Sequence, residues 1–179
     1  ESYVTDFDFA GRVSYFGMLG WNLGASFYSG ESETSDFGAD STQIDIQMTG
    51  VDARYNNGNF QARAQYTVAN LGNTQAYNAK TSNDLGSVMT GCYFEVGYDV
   101  LQGNSDNKLI LFGRYENYNT HDETEGFDAN LAYDRTETTV GLTFKVADGA
   151  AFKMDYQLKG NEALDEDSKQ VNVGIAVSF

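Results

Sequence analysis

The sequence has 179 residues, a formal net charge of −15 and no proline, and it contains 12 tyrosines and 12 phenylalanines. A single cysteine excludes a disulfide scaffold or a cysteine-rich metal cluster, and 14% aromatic residues exclude a disordered chain. No apolar run approaches the roughly 18 residues that a membrane-spanning helix needs. The acidic balance argues against nucleic acid as a partner.

Apolar and polar residues alternate along most of the chain, which predicts β-strands and no helices. In one example, the apolar residues Phe60, Ala62, Ala64 and Tyr66 alternate with polar ones. The predicted strands lie near residues 5–16, 21–29, 43–56, 59–69, 87–100, 108–118, 135–146, 151–159 and 170–179. The predicted fold class is therefore all-β and antiparallel.

The predicted connections alternate between short and long. The short ones lie near residues 17–20, 57–58, 101–107 and 147–150, and the long ones near 30–42, 70–86, 119–134 and 160–169. An outer-membrane β-barrel has short periplasmic turns and longer extracellular loops, and strands of about ten residues can cross a bilayer. We therefore predict that residues 1–179 form part of one transmembrane β-barrel domain with a periplasmic C-terminus.

Aromatic residues of the apolar face lie beside the short turns. Such a row is typical of the interfacial aromatic girdle of a membrane barrel. The predicted girdle consists of Tyr15, Trp21, Tyr55, Phe60, Tyr98, Phe144, Phe152 and Phe179.

Charged residues within the strands fall on the polar face, where basic and acidic side chains nearly balance. The four long loops carry 14 acidic residues against two lysines, so the negative charge belongs to the predicted exterior. Ile110 and Phe112 also fall on the polar face, which predicts either a narrowing of the lumen or contact with an inward-folded loop. The candidate pore-lining residues are Arg12, Arg54, Arg63, Glu95, Lys108, Arg114, Glu116, Lys145, Lys153 and Asp155.

The third strand changes its alternation partway along. Apolar residues are even-numbered at Ile44 and Met48 but odd-numbered at Val51 and Tyr55. One extra residue in a strand reverses the direction of every later side chain, so a β-bulge is predicted near Thr49–Gly50.

Nine strands do not make a complete bacterial barrel, because single-chain barrels have an even number of strands and both termini in the periplasm. We therefore expect residues 1–179 to be the C-terminal part of a longer chain with 16–18 strands, the size class that leaves an aqueous channel. The alternative is an eight-stranded barrel with a filled interior, which would be a non-conducting structural protein.

Several segments resemble the C-terminal half of phosphate-selective porins of the O and P type. They are FAGRVSY at 9–15, WNLGASFYSG at 21–30, GVDARYNNGNFQARAQY at 50–66, YFEVGYDVL at 93–101, LFGRYENYNT at 111–120, TTVGLTFKVADGAAFKMDYQ at 138–157 and the ending VNVGIAVSF. The resemblance implies a 16- or 18-stranded porin of the Gram-negative outer membrane, surrounded by lipid and usually a homotrimer. It also implies passive diffusion of small hydrophilic solutes or ions, including anions such as phosphate.

The resemblance assigns roles to particular residues. Phe179 is similar to the terminal aromatic by which the barrel-assembly machinery recognises its clients. The anion-selective members of this family have a ladder of basic residues in the lumen. The corresponding basic residues here are interleaved with nearly as many acidic ones. The ladder candidates are Arg12, Arg54, Arg63, Arg114 and Lys153.

Other functions have less support in the sequence. An acidic secreted β-sandwich that acts as a binding module would show the same one-sided alternation. No enzymatic activity is predicted, because His121 is the only histidine and no nucleophile stands at a defined spacing from it. The acidic segments 121–128 and 162–169 fit a solvated surface or, as the alternative, Ca²⁺ binding. No other cofactor or metal is predicted.

Overall fold

The computed structural model describes residues 7–32, 43–102, 106–147 and 149–178. These residues form one antiparallel sheet of nine strands in chain order, so the predicted all-β class is confirmed. The strands are β1 (Phe9–Tyr15), β2 (Trp21–Ser32), β3 (Ile44–Asn57), β4 (Phe60–Leu71), β5 (Val88–Asp99), β6 (Lys108–Glu123), β7 (Asp134–Ala147), β8 (Ala150–Asn161) and β9 (Leu164–Val177).

The sheet is curved. Its concave side forms a cavity of about 650 Å³ that is lined by residues from every strand from β3 to β9. Charged side chains line this concave face, and apolar side chains cover the convex face. Within the described residues, β1 pairs only with β2 and β9 only with β8, so the sheet is open between its first and last strands. No helix in this described part has the length and apolarity needed to cross a membrane.

The two ends of the sheet differ in their connections. At one end, β3 and β4 are joined by Gly58 and Asn59, and β1 and β2 by residues 16–20. At the other end, the connection between β4 and β5 contains a helix, α1 (Thr74–Thr81), so the prediction of no helices is wrong. The helix lies between Asn73 and Ser82, both left-handed with φ of 61° and 57°. It has no apolar stripe, which explains why periodicity did not indicate it.

The ten-residue loop predicted at 160–169 is also wrong. β8 and β9 extend to a two-residue turn at Glu162 and Ala163, and Lys159 pairs with Ser168. Polar side chains in this segment suggested a loop, but strand pairing depends on the backbone and tolerates solvated side chains on both faces. β6 likewise extends to Glu123, beyond its predicted end. β2 extends to Ser32, into the loop predicted at 30–42, and the rest of that predicted loop, 33–42, lies outside the described residues.

The bulge predicted near Thr49–Gly50 is absent, because β3 pairs with β2 without interruption from Ile44 to Tyr55. Unbroken alternation places Ile44 on the same concave side as Asp52. Ile44 is only 4% exposed there, so an apolar side chain is covered on the concave side near the end of the strand. The change in alternation therefore reports a change of surroundings along β3, not an extra residue.

Candidate functional site

The concave face brings most of the predicted pore-lining residues together. Arg12 lines a neighbouring cavity of about 360 Å³, which it shares with Arg54. Lys108 pairs laterally with Lys145 at the end of β6 but does not line the larger cavity. Eight of the ten predicted residues line that larger cavity: Arg54, Arg63, Glu95, Arg114, Glu116, Lys145, Lys153 and Asp155.

The strand register arranges part of this surface as one continuous lateral row. Cross-strand partners in an antiparallel sheet point to the same face and lie about 5 Å apart. Three arginines therefore occupy one level of the wall, with a single glutamate among them. From β2 to β9 the row reads Asn22, Arg54, Arg63, Glu95, Arg114, Thr139, Gln157 and Gln170.

Two of these arginines are paired with acids. Nε of Arg63 donates to Oε1 of Glu95 at 3.0 Å, and Glu95 is only 6% exposed. Nη2 of Arg114 lies 2.6 Å from Oε1 of Glu116, and its guanidinium carbon lies 4.5 Å from the Tyr93 ring centroid. These contacts hold both guanidinium groups in fixed positions on the wall.

Other cations of the same cavity are in no ion pair with a described residue. Within the described residues, Arg54, Lys145 and Lys153 form no ion pair, whereas Asp155 accepts a hydrogen bond from Nδ2 of Asn172 at 2.7 Å. The cavity lining contains five cationic residues and three acidic ones. Two of the three acids are neutralised by Arg63 and Arg114, so the surface presents net positive charge to a solute.

Sequence reasoning missed Thr139 and Gln157, which complete the row of arginines. Alternation assigns each to the polar face, but only the register across several strands places them level with Arg114. Thr139 is 5% exposed, and its Oγ1 and Nε of Arg114 are buried without a hydrogen-bond partner. The sequence alone carries no signal for this level, which depends on the pairing of β6 with β7.

The predicted aromatic girdle forms a band on the convex face. The rings of Trp21 and Tyr55 have centroids 4.8 Å apart, and those of Tyr55 and Phe60 are 6.1 Å apart. Phe60 pairs laterally with Tyr98 on the next strand. A row of aromatic rings therefore runs across four adjacent strands, and Phe60 and Tyr98 are displaced by two residues along the strands from Trp21 and Tyr55.

The same band continues on both sides of these strands. Phe144 pairs with Phe152, and Leu109 of β6 pairs with Phe144, so an aliphatic residue takes the place of an aromatic one there. Tyr15 ends β1 and is exposed. Phe179, the last predicted member of the girdle and the predicted assembly signal, lies outside the described residues.

The convex face is apolar and uncovered. Val13 on β1 is 74% exposed and Val173 on β9 is 78% exposed. Along β4, the convex positions from Phe60 to Val68 carry no charge. This stretch of nine residues extends about 26 Å along the strand at roughly 3.3 Å per residue.

At the end of the sheet that carries α1, called the loop end below, His121 links the β4–β5 connection to the β6–β7 connection. Its Nε2 donates to the backbone carbonyl of Asp84, and the N–H of Asn130 donates to its Nδ1 at 3.4 Å. Tyr133 packs on the imidazole with ring centroids 4.1 Å apart. The Tyr133 hydroxyl donates to Oδ2 of Asp84 at 3.0 Å, which raises the pKa of Tyr133. These contacts assign His121 a structural role.

In the segment 121–128, where Ca²⁺ binding is the alternative prediction, one acidic side chain accepts hydrogen bonds from a neighbouring helix. Oε2 of Glu125 accepts hydrogen bonds from Oγ1 of Thr74 at 2.7 Å and from the N–H of Gln75 at 3.3 Å, at the first turn of α1. The carboxylate thus satisfies donors at a helix N-terminus. The described residues contain no group of three or more metal-binding side chains. Ca²⁺ binding by these loops stays a prediction.

No family model, curated protein or solved structure matches this chain. Its function must therefore be inferred from the chemistry of the two sheet faces and of the loop end.

Proposed function

We propose that this protein is an outer-membrane porin that forms a water-filled channel for passive diffusion of small hydrophilic solutes, with a preference for anions. In this proposal the convex face contacts lipid and the concave face lines the lumen. The observation that carries it is the opposite chemistry of these faces, together with an aromatic band that crosses neighbouring strands beside the tight turns.

The convex face supports contact with lipid. A β-sandwich module buries its apolar face against a second sheet, whereas the convex side chains here are exposed, as at Val13 and Val173. A contiguous exposed apolar face of this extent is unfavourable in water. In a bilayer it requires no cover, and the Trp21–Tyr55–Phe60 cluster lies where an interfacial girdle would lie.

The concave face supports a preference for anions. Charged side chains lining a pore bias which ions enter it. Among the described residues that line the larger cavity, Arg54, Lys145 and Lys153 form no ion pair, and the side chains of Arg63 and Arg114 remain 49% and 33% exposed to a passing solute. Inorganic phosphate is one anion that this surface would attract.

The open edges support a larger barrel wall. In lipid, unpaired N–H and C=O groups of an edge strand cannot bond to water, so spanning sheets are closed. β1 and β9 each lack a second neighbour within the described residues. We therefore propose that further strands of the same barrel complete a wall of 16–18 strands, the size class of porins, assembled as a homotrimer.

Planar-bilayer recording tests this function. The full-length protein, purified in detergent and added to one side of a lipid bilayer, is expected to produce stepwise current increases in potassium chloride. In a tenfold salt gradient, the reversal potential is expected to have the sign of chloride preference. The absence of current from protein that is folded by circular dichroism would overturn the proposal.

A further inference from the structure

Two apolar side chains interrupt the charged concave face. Ile110 and Phe112 lie on the concave side of β6 and line the larger cavity, and Ile110 is buried. Ala151 and Ala176 line the same cavity. An apolar surface within a charged wall does not assist inorganic ions, which bind through charge and hydrogen bonds alone.

The neighbours of Phe112 leave room for its ring. Its lateral partners are Gly97 on β5 and Gly141 on β7. A Cβ atom at Gly141 would lie 2.7 Å from Cζ of Phe112, closer than side chains approach one another. The ring therefore lies across the Gly141 position, where it remains half-buried and borders the cavity.

A polar pair lies one level further along the same two strands. Arg114 of β6 pairs laterally with Thr139 of β7. Nε of Arg114 and Oγ1 of Thr139 are buried without a hydrogen-bond partner, although both residues line the cavity. Buried polar atoms without a hydrogen-bond partner are unfavourable. A carboxylate can accept from both the guanidinium N–H and the hydroxyl.

We propose that the Ile110, Phe112, Arg114 and Thr139 side chains form a subsite for aromatic monocarboxylates. The carboxylate accepts hydrogen bonds from Arg114 and Thr139, and the aromatic ring packs on Phe112 and Ile110. The inference rests on the proposed channel function and names the class of solute that the channel would favour.

Nearby charges favour one carboxylate over two. Lys153 forms no ion pair with any described residue and adds to the attraction for an anion. Asp155 lies beside Gly141 in the register, on the far side of the glycine from Phe112. Its carboxylate would repel a second negative group at the opposite end of the bound ring, because like charges at short range are unfavourable.

Inhibition of chloride current measures the subsite in the full-length protein. We expect benzoate to reduce the current at a concentration at least tenfold lower than acetate or phosphate requires. Phe112→Gln is expected to remove that difference when the inhibition is expressed as a fraction of the variant's own chloride current. Tyr118→Gln, which removes an aromatic from the same strand outside this cavity, is expected to preserve it.

Two outcomes separate this inference from the channel proposal. Current with equal inhibition by benzoate and acetate, or full benzoate inhibition in Phe112→Gln, would overturn the subsite and leave the channel intact. If the protein carries no current, saturation-transfer NMR of benzoate with the detergent-solubilised protein decides instead. Transfer that Phe112→Gln abolishes would support the subsite without the channel, and absence of transfer would overturn the subsite.

Discussion

The two faces of one sheet have opposite chemistry although adjacent residues of each strand build them. On β4, Gln65 faces the concave side and Tyr66 faces the convex side, and both are exposed. In a soluble protein exposed neighbours experience the same solvent. Exposed side chains of this sheet therefore have two environments, which are water on one face and, as we propose, lipid on the other.

An arginine placed on each face in turn is expected to distinguish contact with lipid from contact with water most strongly. Tyr66→Arg is expected to lower the free energy of unfolding by about 2–4 kcal/mol, the cost of arginine near a bilayer midplane. Gln65→Arg is the matched control and is expected to change it by less than about 0.5 kcal/mol, as at an ordinary surface position. Urea unfolding of the protein in lipid vesicles measures both, and equal costs would remove the distinction between the faces.

The two ends of the sheet provide a second contrast, since α1 and its contacts organise only the loop end. Glu125→Ala removes both hydrogen bonds to the first turn of α1. The expected cost is about 1–2 kcal/mol, which makes amide exchange in residues 74–81 roughly tenfold faster. Hydrogen exchange with mass spectrometry measures it, and Asp122→Asn at an exposed neighbour is the control. Unchanged exchange would show that Glu125 does not hold the helix.

The aromatic band is expected to contribute less. Tyr55→Leu removes ring contacts to Trp21 and Phe60 but keeps an apolar side chain, so we expect a loss of about 0.5–1.5 kcal/mol. Tyr115→Leu is the control, because Tyr115 has no ring–ring contact within the described part of the chain. Fluorescence of Trp21, the one tryptophan, follows unfolding of both variants. A larger loss at Tyr115 would contradict the special position of the band.

The smallest effect concerns selectivity. Lys153→Glu changes the charge of the cavity lining by two units, so we expect the chloride-to-potassium permeability ratio to fall a few-fold towards unity. Lys159→Glu makes the same change on the same strand outside the larger cavity and is expected to leave the ratio nearly unchanged. Reversal potentials in a salt gradient measure both variants. A fall of the same size at Lys159 would show that the cavity does not determine selectivity.

Sequence alternation predicted most of the fold because the sheet has one apolar face over nearly its whole length. It assigned Arg54 and Phe60 to opposite faces, and the positions of the turns placed the aromatic residues at one end of the sheet. It failed at Ile44, because alternation changes where the concave face is no longer solvated. It also missed α1, since a helix without an apolar stripe produces no period.

The site was only partly predictable for a related reason. The parity of a residue number identifies its face, but its height on the wall depends on the register of every intervening hairpin. Thr139 therefore appears as an ordinary polar strand residue until β6 and β7 are paired. The gap beside Phe112 likewise depends on Gly141, which lies 29 positions away in the sequence.

Nitroxide accessibility along β5 measures which side chains of one strand face lipid and which face water. Cys92 is the only cysteine and lies exposed on the convex face, so spin labels at 91, 92, 93 and 94, one at a time, sample both faces. In vesicles, we predict high oxygen accessibility at 92 and 94 and high accessibility to a water-soluble nickel complex at 91 and 93. Equal access of the nickel complex to all four positions would contradict a sheet with one face in lipid and the other in water.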